Sequence, residues 1–137
     1  MEREIKFRAF NPQIKSMAYN VFPSYNGDIV FISHNDHETE YRWLPIADSE
    51  PCLMQFTGLK DKNGKDIYEG DIVSLFNPYN NQLAIGFGKI IFSYEYVGGW
   101  VLEAAETEGN CLNIGTRTNQ IEVVGNIYEN PELLKTL

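Results

Sequence analysis

Cysteine and histidine are scarce in this chain, with two of each among 137 residues. Cys52 and Cys111 form no metal-type pair and are too few for a disulfide scaffold, so two packed, reduced thiols are expected. No stretch approaches the ~18 apolar residues that a membrane helix requires. The most hydrophobic window, Leu83 to Phe92, is broken by Gly86, Gly88 and Lys89. The opening Met1-Glu2-Arg3-Glu4-Ile5-Lys6 is charged where a secretory leader would be apolar, and no Asn-x-Ser/Thr acceptor occurs. A cytoplasmic protein without a membrane partner is therefore expected. Positive charge is also in short supply, 11 Lys and Arg against 19 Asp and Glu, for a net charge of −8. That balance argues against a surface that coats a polyphosphate, because such a grip needs clustered cations. It leaves room for a local one: residues 1–20 carry +2, residues 21–50 carry −5, residues 51–75 carry −1 and residues 76–137 carry −4.

Catalytic signatures are missing too. Gly86-Phe87-Gly88 lacks the third glycine of a dinucleotide cradle, since position 91 is Ile, and no Gly-Lys-Ser/Thr is present to build a P-loop. There is no Gly-x-Ser-x-Gly elbow. Asp61, Asn63, Asp66, Glu69 and Asp71 suggest calcium, but an EF-hand starting at Asp61 requires Gly where Asp66 stands and Glu where Ile72 stands. One stretch does crowd metal ligands together: His34-Asn35-Asp36-His37-Glu38-Thr39-Glu40. His34, Asp36 and His37 have the chemistry for zinc or non-haem iron, and a solvated acidic loop tip is the simpler account. No cofactor is expected, and the reading leans away from an enzyme.

What the chain does have is strand pattern and turn chemistry. Aromatics number 18 and hydrophobic residues make up 43%, sufficient for a core. Ile5 to Phe10 alternates, with Ile5, Phe7 and Ala9 on one face and Lys6 and Arg8 on the other. Further strands are expected at Met17–Phe22, Ile29–Ile32, Tyr41–Leu44, Leu53–Phe56, Ile72–Phe76, Ala84–Tyr96, Trp100–Ala104 and Gln120–Ile127. Polar loops are expected at Ser33–Glu40, Asn77–Gln82 and Glu106–Gly115. Asn63-Gly64 is the pair preferred by a type I′ hairpin turn, and Glu69-Gly70-Asp71 reads as another turn. Pro131 follows Asn130 as a first-turn proline follows an N-cap, which predicts a short C-terminal helix. Together these give a mainly β fold with some α+β character: a barrel or sandwich of short strands with an SH3-like C-terminal half and a terminal helix. The acidic, irregular stretch Ala47–Pro51 divides this single domain, residues 1–137, into an N-terminal β lobe, 1–50, and a barrel-like lobe, 51–137.

A local basic–aromatic surface is also legible. Lys60, Lys62 and Lys65 cluster near the hairpin, and Tyr94, Tyr96 and Trp100 interleave with strands as a base-stacking platform would require. Aromatic side chains in a β-rich chain serve the core equally well.

Three long blocks carry a family resemblance. They are Ile5-Lys6-Phe7-Arg8-Ala9-Phe10, the stretch from Leu53 through Thr57-Gly58-Leu59-Lys60-Asp61-Lys62-Asn63-Gly64 to Tyr68-Glu69-Gly70-Asp71-Ile72-Val73, and Val123-Val124-Gly125-Asn126-Ile127-Tyr128-Glu129-Asn130-Pro131-Glu132-Leu133-Leu134. In them the chain closely resembles the YopX family of small phage and prophage proteins, whose biochemical function is uncharacterised. The resemblance implies a β-rich cytoplasmic product of a temperate phage or integrated element. It brings no catalytic residue with it.

Within those blocks, Tyr68, Glu69, Asp71, Asn126, Tyr128 and Glu129 are the polar positions that turn rules explain least. They mark a possible interaction surface, with a buried hydrogen-bond network from hairpin to final strand as the structural counterpart. Three functions remain open. The favoured one is a non-enzymatic binding or regulatory module that engages a phage or host protein through a β edge or an aromatic patch. The second is a nucleic-acid-associated protein of phage replication or transcription, and the third a metal-dependent enzyme on His34, Asp36 and His37. Homo-oligomerisation by edge pairing is compatible with all three.

Overall fold

The computed structural model describes residues 4–11, 15–23, 29–35, 38–44, 53–77, 80–93, 99–104, 111–115 and 117–134. The fold is mainly β. Its strands are β1 (Phe7–Asn11), β2 (Ser16–Pro23), β3 (Ile29–Asn35), β4 (Glu38–Leu44), β5 (Leu53–Lys60) and β6 (Asp66–Tyr68). These are followed by β7 (Asp71–Asn77), β8 (Asn80–Ser93), β9 (Gly99–Ala104), β10 (Cys111–Asn113) and β11 (Ile121–Asn126). Short 3₁₀ turns occupy Thr118–Gln120 and Pro131–Leu134. One sheet has six strands in the order β4-β3-β2-β1-β5-β6, the other five in the order β10-β9-β8-β7-β11. Both orders are open, so no closed barrel forms among the described residues.

The chain divides into two compact units, Met1–Phe56 and Thr57–Leu137. In the first, β1 lies between β2 and β5, pairing Ala9 with Ala18 on one side and with Leu53 on the other. The strand is also buried on both faces, with Arg8 and Ala9 pointing opposite ways and each almost inaccessible. Ala9 and Val21 form its buried cluster, with Phe7, Ala18 and Leu53 against them. Arg8, expected on a polar face, is only 4% exposed, whereas Ile5, which precedes the strand, is 63% exposed.

In the second unit Ile67, Val73, Ile90, Leu102, Ile114 and Ile121 form one core, drawn from β6, β7, β8, β9, β11 and the residue after β10. Branched aliphatic side chains dominate because they pack well on a pleated surface. Gly88 faces Val73 across β7–β8, and Leu102 from β9 fills the space beside it. A Cβ at Gly88 would lie 2.4 Å from Leu102 Cδ2 and 2.6 Å from the Glu103 carbonyl oxygen.

Several sequence expectations are corrected. Ser33–Glu40 is not a loop along its described length: β3 runs to Asn35 and β4 starts at Glu38, with Ser33 opposite Glu40 and His34 opposite Thr39. Likewise Asn77 pairs with Asn80, so strand replaces most of the loop expected there, and β10 lies inside Glu106–Gly115. In all three cases the ladder is made by main-chain groups, which polar residues supply as well as apolar ones. The C-terminal helix is a single 3₁₀ turn, Pro131–Leu134.

Candidate functional site

The lysine-bearing hairpin is built by Asp61. Its main-chain oxygen accepts from Gly64 N (3.0 Å) and its N–H donates to Lys65 O (2.8 Å). Gly64 has φ +81° while Asn63 is not left-handed, so this is a type I turn closed by a glycine bulge, not the expected type I′ turn, which needs both positions left-handed. The Asp61 carboxylate explains the choice. Its Oδ1 accepts from Asn63 N and Lys65 N, both at 2.9 Å, holding Asn63 in the right-handed region. Its Oδ2 accepts from Val123 N at 2.9 Å, and Lys62 N donates to Ile121 O at 3.0 Å. The turn thereby covers the open edge of β11. Sequence reasoning assigned Asp61 to the turn alone; the bond to Val123 spans 62 residues and left no local signal.

Two of the lysines on this hairpin have partners within the fold, although Lys60 stays exposed. Lys60 Nζ lies 3.3 Å from Asp66 Oδ1, and Lys62 Nζ sits 3.7 Å from the centre of the Phe76 ring, a cation–π distance. Lys65 is exposed. Near the N-terminus, Lys6 contacts Glu4 at 3.4 Å and stands 4.4 Å from the Phe56 ring centre.

The six polar positions singled out in the sequence gather at one end of β7 and β11, where Asn126 is directly opposite Asp71. Tyr68 N donates to Asp71 Oδ2 at 2.7 Å, closing the turn from β6 to β7. Gly70 N donates to Ile90 O, and Gly70 O accepts from Ile127 N, each at 2.9 Å. Asn126 Oδ1 accepts from Tyr128 N (3.0 Å) and Glu129 N (2.9 Å), and its Nδ2 donates to Glu129 Oε1 (2.9 Å). Asn130 does not cap the terminal turn with its side chain: Asn130 Oδ1 reaches back to Asn126 N at 3.3 Å, and Asn130 N donates to Asn126 O. Tyr68, Asp71 and Asn126 are buried and so stand behind the surface, not on it. Glu69 and Tyr128 are half-buried and Glu129 is exposed.

The aromatic patch is carried by β8 and β9. Phe92 and Trp100 are direct cross-strand partners, with ring centres 5.2 Å apart and planes at 81°. This edge-to-face geometry places positive ring edge against negative face. Trp100 packs on the core of the second unit, while Phe92 is 38% exposed. The two aromatics thus continue the core to the surface. Tyr94 and Tyr96 lie outside the described residues, as do Asp36 and His37. His34 is in β3, opposite Thr39. Among the described residues no group of three or more His, Cys, Asp and Glu is placed to hold a metal ion, and no helix is long and apolar enough to cross a membrane.

The same architecture has been solved elsewhere. Protein EF1440 from Enterococcus faecalis is 30% identical, with a TM-score of 0.65 over 97% of this chain and 99% of that one. Protein yopX from Bacillus subtilis, 21% identical, shares the fold with a TM-score of 0.63 over 93% of this chain and 96% of its own. No curated protein matches the sequence. The model of the YopX protein family matches residues 6–135, nearly the whole chain, and the chain belongs to that family.

Proposed function

We propose that this protein is a non-enzymatic binding or regulatory module, acting in the bacterial cytoplasm on a phage or host protein through the Phe92–Trp100 face of β8 and β9. The observation that carries the reading is that aromatic pair. Its inner ring is anchored on the core, so the outer ring is held in place before binding and loses little freedom when a partner covers it. Aromatic anchors of this kind dominate the energetics of protein–protein interfaces. The polar residues support the same reading. Asp61, Asp71 and Asn126 all direct side-chain oxygens at main-chain N–H groups of their own fold, where they set the geometry of turns.

The test is capture of partners from prophage-bearing cells by the wild-type protein and by Phe92→Ser, followed by measured affinities for each purified partner. A single protein partner bound about tenfold or more weakly by Phe92→Ser is expected, the scale of a lost aromatic anchor. A partner bound equally by both forms removes the aromatic face from the proposal. Retention by nucleic acid alone, released by moderate salt, would replace the protein partner with a nucleic-acid one.

A further inference from the structure

The two sheets have four edges among the described residues, and the chain treats them differently. β6 and β10 offer three residues each. β11 is covered by the Asp61 turn, which takes the Val123 N–H and the Ile121 carbonyl. β4 has seven residues, contains neither glycine nor proline, and has no strand beyond it among the described residues. A long edge without proline or a bulge is a template for another strand, and the charges it carries, Glu38, Glu40 and Arg42, restrict which strand can pair with it.

The sequence of β4, Glu38-Thr39-Glu40-Tyr41-Arg42-Trp43-Leu44, indicates which strand. In a closed two-fold dimer, if one residue faces a second, the second must face the first. Opposed residues in an antiparallel ladder alternate between hydrogen-bonded and non-hydrogen-bonded pairs. An axis falling between two residues would require the same pair to be both kinds, so the axis passes through a residue that faces its own copy. With the axis at Tyr41 all seven residues pair, and Glu40 is opposite Arg42 twice. Moving the axis to Glu40 sets Glu38 opposite Arg42 but Glu40 against itself, moving it to Arg42 sets Arg42 against itself with no opposite-charge pair, and both shorten the overlap. Opposite charges directly across a ladder stabilise it, and like charges destabilise it.

We propose that β4 pairs antiparallel with β4 of a second copy of this chain across a two-fold axis at Tyr41. The surface lies in the first unit and does not depend on the aromatic face of the second.

The charge pattern supplies the test. Sedimentation of the wild-type protein from roughly ten micromolar to about one millimolar, the span of weak specific association, should show a monomer–dimer equilibrium. Glu40→Arg and Arg42→Glu should each weaken the dimer about tenfold or more, since each creates two like-charge pairs. An equimolar mixture of the two variants should form a heterodimer, because every Arg then faces a Glu. A wild type that stays monomeric, single variants that dimerise like the parent, or a mixture that stays monomeric would each overturn the proposal. A disulfide test covers the case in which a charge variant does not fold. With Cys52 and Cys111 replaced by Ser, Tyr41→Cys should cross-link to its own copy on oxidation, because residues facing each other in an antiparallel ladder lie within disulfide reach. Thr39→Cys, which faces Trp43, should not. Cross-linking by Thr39→Cys and not by Tyr41→Cys would also overturn the register.

Discussion

Asp61 shows how much one side chain can organise. Its carboxylate is buried and accepts three main-chain N–H groups, two inside its own turn and one from β11. Truncation in Asp61→Ala leaves those three donors without their carboxylate partner and unties the turn from β11. The expected loss is about 2–4 kcal/mol, read as a lower urea midpoint at unchanged slope. Asp61→Asn keeps one acceptor oxygen for the turn but points an amide at Val123 N–H, so its loss should be smaller yet clearly above zero. Gly64 separates conformational cost from packing. It has φ +81° and nothing within 4 Å of a Cβ built on it, so Gly64→Ala should cost about 1 kcal/mol through backbone strain alone. Gly88→Ala meets the opposite situation, an ordinary backbone with Leu102 and the Glu103 carbonyl in the way. Because one obstacle is main chain, repacking Leu102 cannot clear it. A loss of about 1–3 kcal/mol is expected, and it should persist when Leu102 is shortened to Val.

At the scale of the element, legibility followed the source of the stabilisation. Strands whose side chains enter a core, such as β7, the second half of β8, β9 and β11, were written in short clusters of Ile, Val and Leu. The starts of β4 and β8 consist of polar residues held by main-chain ladders, and β10, Cys111-Leu112-Asn113, is too short to show a period, so periodicity is silent there. The Asn63-Gly64 signal located a turn correctly but not its type, because the deciding contact comes from the Asp61 carboxylate. The six polar positions were legible as residues that turn rules leave unexplained; that three of them are buried followed only from β7 lying beside β11. Asn126 is the pivot of that corner. Asn126→Ala removes two acceptor bonds and one donor bond that fold residues 126–130 back on themselves. Hydrogen exchange should show lost protection at Tyr128 and Glu129, with the amides of β7 and β9 unchanged, and a global loss of about 1–2 kcal/mol. Equal loss of protection across β7 and β9 would mean that the corner is part of the core's own cooperative unit.

For the whole molecule, the boundary between the units at Phe56 and Thr57 falls within β5, and every residue of the larger buried cluster lies beyond it. Ile67, Val73, Ile90, Leu102, Ile114 and Ile121 come from segments that close on one another by hydrogen bonds inside Thr57–Leu137. The Asp61 turn, the Gly70 junction and the Asn126 corner also belong wholly to that stretch. A unit that contains its own core and its own cross-links has what independent folding requires. The fragment Thr57–Leu137 should therefore unfold cooperatively in urea, with a slope of about 1 kcal/mol/M for its size. Ile90→Ala makes the test quantitative. Deleting this fully buried side chain should cost about 2–5 kcal/mol in the full chain, and the same in the fragment to within about 0.5 kcal/mol. Matching losses mean that the second unit's core is complete without Met1–Phe56. A fragment without a cooperative transition, or a markedly smaller loss than in the full chain, would mean that the core of the second unit needs the first to form.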